Sequence, residues 1–88
     1  MKYAFTLQLF SDHYKHEYDS IEYLAKHIMR DMALKHANEG KLFFTESEIK
    51  NLILTAYSKT NQQNIESMVD LKIHYCMKEN WVIRIHED

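Results

Sequence analysis

The chain predicts an α+β domain: a small three-stranded antiparallel sheet, made of an N-terminal strand plus a C-terminal hairpin, packed against two main helices. Three observations predict it. Residues 2–10 alternate apolar and polar, residues 21–37 and 45–57 repeat at the helical period, and residues 69–86 alternate again around a polar break. The expected order is β-α-(β)-α-α-β-β. At 88 residues this is a single domain, 1–88.

Tyr3, Phe5, Leu7 and Leu9 fall on one face of the first strand, with Ala4, Thr6 and Gln8 on the other. Residues 11–20 are polar and tyrosine-rich and read as a loop. In residues 21–37, Ile21, Leu24, Ala25, Ile28, Met32 and Ala33 form an apolar stripe. Gly40, the single glycine, stands where a left-handed helix stop wants one. Residues 42–44 are a short apolar strand or connector. Thr45 and Glu48 form a capping box, and the helix they open carries Ile49, Leu52, Ile53, Ala56 and Tyr57 on one face. Ser58, Lys59 and Thr60 break the period, and a short helix is expected over 64–68.

Residues 69–77 fit two patterns. As a helix, Ile65, Met68, Val69, Ile73, Cys76 and Met77 share a side, but Leu71 and Tyr75 do not. As a strand, Val69, Leu71, Ile73, Tyr75 and Met77 face one way. The strand is the favoured reading, with 78–80 as a hairpin loop and 81–86 as the returning strand.

Composition narrows the function. One cysteine makes no internal disulfide, and no stretch approaches the ~20 apolar residues that cross a bilayer. The N-terminus lacks a signal-peptide pattern. A soluble, cytoplasmic protein without a membrane partner is expected. Eleven basic residues against 13 acidic ones, net −2, give no bulk attraction to nucleic acid.

The order of elements from residue 20 to 86 resembles the winged helix-turn-helix architecture. Residues 42–44 match its short strand, 45–57 its first helix, 58–60 its turn, 61–68 its second helix and 69–85 its wing. The resemblance implies that Asn61, Gln62, Gln63 and Asn64 start a recognition helix, where amides bond adenine edges, with Lys59 beside them. Phosphate neutralisation needs clustered bases, and residues 57–72 balance Lys59 and Lys72 against Glu66 and Asp70. Nucleic acid therefore ranks second.

Asp12, His13, His16, Glu17 and Asp19 are the nearest thing to a metal cluster, but a lone His-x-x-His is a weak signal, and no metal or other cofactor is expected. Cys76 with His74 on one strand face is no recognised nucleophile–base pair, and one glycine cannot build a phosphate loop. A non-enzymatic chain is expected.

Aromatics are the remaining signal. Tyr14, Tyr18 and Tyr23 stand among charges, the composition of interface hot spots. The sequence therefore reads as a small binding protein, a regulator or inhibitor that occupies the surface of a larger complex, as small proteins of mobile genetic elements often do. Its contact residues are Tyr14, Lys15, Glu17, Tyr18 and Glu22, toward a protein partner. Self-association through the sheet edge or the tyrosine face is the other form of that reading.

Overall fold

The computed structural model describes residues 1–11 and 21–86. Strand β1 (Lys2–Phe5) leads into a single 3-10 turn, Leu7–Phe10. Helix α1 (Ile21–Asn38), helix α2 (Glu46–Ser58) and helix α3 (Ile65–Lys78) follow, and strand β2 (Val82–Ile85) closes the fold. Over the described residues the architecture is α+β, with three α-helices and one two-stranded antiparallel sheet.

The sheet pairs the two ends of the described chain, Lys2 with Ile85 through Phe5 with Val82. The expected third strand is absent from it. Along the other edge of β1 there is only a bridge, in which the Tyr3 and Phe44 main chains exchange two hydrogen bonds of 2.8 Å. Residues 42–44 thus supply one paired residue rather than a strand.

β1 is also shorter than the alternation suggested. The Thr6 hydroxyl donates to the Asn80 carbonyl and its N–H to the Trp81 carbonyl at 3.0 Å. The chain then tightens into three residues per turn, which abolishes period 2. Leu9 is fully buried, while Leu7, expected beside it, is 89% exposed.

Helix α1 buries a face rotated from the apolar stripe. Ala25, Lys26, Met29 and Ala33 point inward, and Ile21 and Leu24 are exposed. The 3-10 turn explains the rotation. A helix end leaves carbonyls unpaired. Arg30 Nε donates to the Leu9 carbonyl at 2.6 Å, and Arg30 Nη2 and Lys26 Nζ both reach the Ser11 carbonyl, at 2.7 and 2.5 Å. Lys26 is wholly buried, its ammonium 5.5 Å from the Trp81 ring centre.

Helix α2 follows its sequence reading. The Thr45 hydroxyl accepts from Glu48 N–H at 3.1 Å, and Glu48 Oε1 accepts from Thr45 N–H at 2.9 Å. Ile49, Ile53, Ala56 and Tyr57 are fully buried. Each large apolar side chain there contributes roughly 1.5–3 kcal/mol of burial.

Residues 69–77 are helical, so the hairpin and the wing are both absent. The chain continues α3 from Ile65 without a break, with Ile65, Ile73 and Cys76 buried and Met68, Val69 and Met77 packed beside them. The alternation misled because it counted Leu71 as inward, and Leu71 is 67% exposed. Residues 78–80 end this helix instead of turning a hairpin. Asn80 takes a left-handed φ of 62°, the Trp81 N–H donates back to the Cys76 carbonyl at 2.9 Å, and Trp81 enters the core.

Candidate binding surface

Tyr14, Lys15, Glu17 and Tyr18 lie outside the described residues, as do Asp12, His13, His16 and Asp19. Glu22 is the one loop-associated contact residue the structure places. It stands in the first turn of α1 and accepts a 2.8 Å hydrogen bond from Lys72 Nζ, so its carboxylate is committed within the fold. The Lys72 ammonium lies 4.9 Å from the centre of the Tyr57 ring. Beneath it Tyr57 and Cys76 are fully buried, and burial pushes the Tyr57 hydroxyl up from its ordinary pKa and the Cys76 thiol up to about 12.

That thiol is a protonated, inert group at neutral pH. His74, expected on the same face, is exposed, because residues two apart on a helix point to nearly opposite sides. Among the described residues no three His, Cys, Asp or Glu side chains gather closely enough to hold a metal ion. No described helix is long and apolar enough to cross a membrane.

The amide run does not open a helix. Residues 59–64 connect α2 to α3, with Asn61 and Asn64 in the left-handed region at φ 65° and 58°. Asparagine tolerates that region, which accounts for its use at both positions. Asn64 precedes α3 without capping it through its side chain. Gln62 is half-buried, its Nε2 3.4 Å from Met68 Sδ, while Gln63 and Lys59 are exposed. The four amides lie in the connection between the two helices and not in the first turn of α3.

The C-terminal half of α1 runs between two hollows that sequence reasoning did not find. On one side is a groove of about 150 Å³ lined by Phe5, Phe10, Leu34, Ala37, Leu42 and Phe44, with Lys41 at its rim. Leu34 and Leu42 are each more than half exposed. The groove exists because three separate segments, the 3-10 turn, α1 and the chain after Gly40, bring outward apolar side chains, Phe10, Leu34 and Leu42, to one place. No periodicity spans such segments. The signal in the sequence was the apolar run Leu42-Phe43-Phe44, too long for the single inward position Phe44 occupies.

On the other side, α1 and α2 enclose a hollow of about 440 Å³ over Met32 and Leu52, rimmed by Asp31, Lys35, Glu39 and Lys59. It adjoins a smaller one of about 210 Å³ where Lys41 and Glu48 pair at 2.7 Å. His36 lines both, its ring edge-on to Phe44 with centroids 5.3 Å apart.

No family model, curated protein or solved structure matches the chain.

Proposed function

We propose that this chain is a small non-enzymatic protein-binding module, a regulator or inhibitor that seats a larger partner on the groove beside α1. The groove is the single observation that carries the reading. An apolar depression ringed by Phe10, Leu34 and Leu42 accepts one aliphatic or aromatic anchor from a partner, the geometry in which a few buried side chains supply most of the binding energy. Tyr14, Lys15, Glu17 and Tyr18 are the further contact residues proposed on their composition alone, and Glu22 supports the surface indirectly by tying α1 to α3.

Base reading through Lys59 and residues 61–64 is the second choice on charge, since the net −2 offers no phosphate footprint. The experiment is affinity capture from host extract with the wild-type chain, Leu42→Asp, Tyr14→Ala and Tyr18→Ala. A discrete partner should be retained by the wild type and lost with Leu42→Asp, while circular dichroism shows an unchanged fold. Capture of no protein, together with a salt-sensitive shift of labelled duplex, overturns the reading in favour of nucleic acid.

A further inference from the structure

Leu7 is the most exposed large apolar side chain among the described residues, at 89%. The turn that carries it is closed by bonds three residues apart. Leu9 N–H donates to the Thr6 carbonyl at 3.2 Å, and Ser11 N–H to the Gln8 carbonyl at 3.1 Å. In such a turn side chains three positions apart eclipse one another. Leu7 therefore stands on the same side as Phe10, about 6 Å along the turn axis. Phe10 lines the apolar groove with Leu34 and Leu42. The chain thus sets a projecting leucine beside a depression that takes an apolar anchor.

The groove, about 150 Å³, has room for one such side chain. An enclosed apolar cavity of about that volume holds a benzene ring. Leu7 does not fill the groove of its own chain, since almost all of its surface is open. A second copy solves this by exchange. Projection and groove share one side of the turn, so a two-fold rotation about an axis beside Phe10 carries each Leu7 into the other copy's groove. The two contacts are identical, and the arrangement closes at two copies.

The centre of this contact is apolar. Phe10 of the two copies meet near the axis, with Leu7, Leu34 and Leu42 around them. Among the described residues, Lys41 is the one charged side chain lining the groove, and Glu48 of its own chain pairs with it at 2.7 Å. The axis therefore brings no unpaired like charges together. Leu34 and Leu42 are more than half exposed and Phe10 more than a third. With Leu7 they leave roughly 400–500 Å² of apolar surface open, as much as a typical monomer's largest patch. Covered in both copies and ringed by a polar rim, that surface reaches the roughly 1,200 Å² at which specific interfaces begin.

We infer that two copies of this chain pair by exchanging Leu7 between their grooves. The inference rests on the groove reading and gives it a form of regulation: the dimer closes the groove, and only the monomer seats a larger partner.

Sedimentation velocity of the full chain over a wide concentration range tests this. The wild type should pass from monomer to dimer. Leu7→Asp should weaken association by about a hundredfold or more, because the leucine is lost twice per dimer and a carboxylate enters each groove. Leu7→Ala should weaken it by a smaller factor in the same direction. Circular dichroism confirms the fold of each variant. In capture from host extract, Leu7→Asp should retain the larger partner at least as well as the wild type, whereas Leu42→Asp loses it. A chain monomeric at every concentration overturns the inference, and so does a dimer that Leu7→Asp leaves intact. Failure of the groove reading shows differently: the wild type captures no protein while its dimer still responds to Leu7→Asp, which leaves the exchange itself standing.

Discussion

Helices α1 and α3 end by the same hydrogen-bond pattern and to very different effect. At the end of α1, Lys41 N–H donates to the His36 carbonyl at 2.8 Å and Gly40 N–H to Ala37 at 2.9 Å. At the end of α3, Trp81 N–H donates to Cys76 at 2.9 Å and Asn80 N–H to Met77 at 3.1 Å. Both stops turn on one left-handed residue, Gly40 at φ 82° and Asn80 at φ 62°. The residue after the first stop is Lys41, which lines both the groove and the smaller hollow where it pairs with Glu48. The residue after the second is Trp81, which is 1% exposed, edge-on to Tyr75 and beneath the Lys26 ammonium. The backbone ends the helix in either case. What the following side chain meets decides whether the stop also builds the core.

The largest test of that contrast is Trp81→Ala against Lys41→Ala. Removing the indole should cost about 3–5 kcal/mol in urea denaturation, by lost burial and the cavity left behind. Lys41→Ala should stay within about 0.5 kcal/mol. Equal costs would break the comparison. Cys76 reports the same event: its buried thiol should resist alkylation in the wild type and react readily in Trp81→Ala.

Next come the turn residues themselves. Gly40→Ala should cost about 1 kcal/mol by backbone conformation alone, because nothing lies within 4 Å of an added Cβ. Asn80→Ala should cost about as much, and Asn80→Gly should be neutral or slightly stabilising. A much larger loss for Asn80→Ala would mean that this stop also steers Trp81, sharpening the difference between the ends.

A cap on α2 gives a comparable effect. Thr45→Ala should lose about 1 kcal/mol, since the Glu48 N–H then lacks its acceptor.

The smallest effect is a pH response at the first stop. Lys41 chiefly, and then the Thr45 N–H, hold the Glu48 carboxylate down at about 2 from an ordinary 4.5. A carboxylate with a lowered folded-state pKa adds stability above its unfolded value and loses it as it protonates. The contribution should therefore fade as pH drops from about 4.5 toward 2. Lys41→Met should move the Glu48 titration, followed by carboxyl-carbon NMR, back toward 4.5.

How legible each element was depended on how local its cause is. The capping box, the buried face of α2 and the Gly40 stop are written in residues at most a turn apart, and all three were readable. Asn80 performs the same act as Gly40, yet asparagine between polar neighbours is equally at home in a hairpin loop. Leu71 and Tyr75 completed an alternation that tipped residues 69–77 toward strand. The exposure of Leu71 could not be known without knowing what α3 packs against. Of the contact residues, Glu22 is placed inside an ion pair with Lys72, fifty positions away.

By itself the sequence determined the α+β class, the bounds of α1 and α2 to within a residue or two, and the stop at Gly40, because caps and helical period are short-range. The sequence also expected the C-terminal strand in an antiparallel sheet with the N-terminal one; only the tertiary structure decided that this strand pairs with β1 without a hairpin partner, that Lys26 is buried beneath the 3-10 turn, and that Phe10, Leu34 and Leu42 ring one groove. Those are contacts between distant segments. Their free energy depends on shape and on carbonyls left over elsewhere, which no local pattern records.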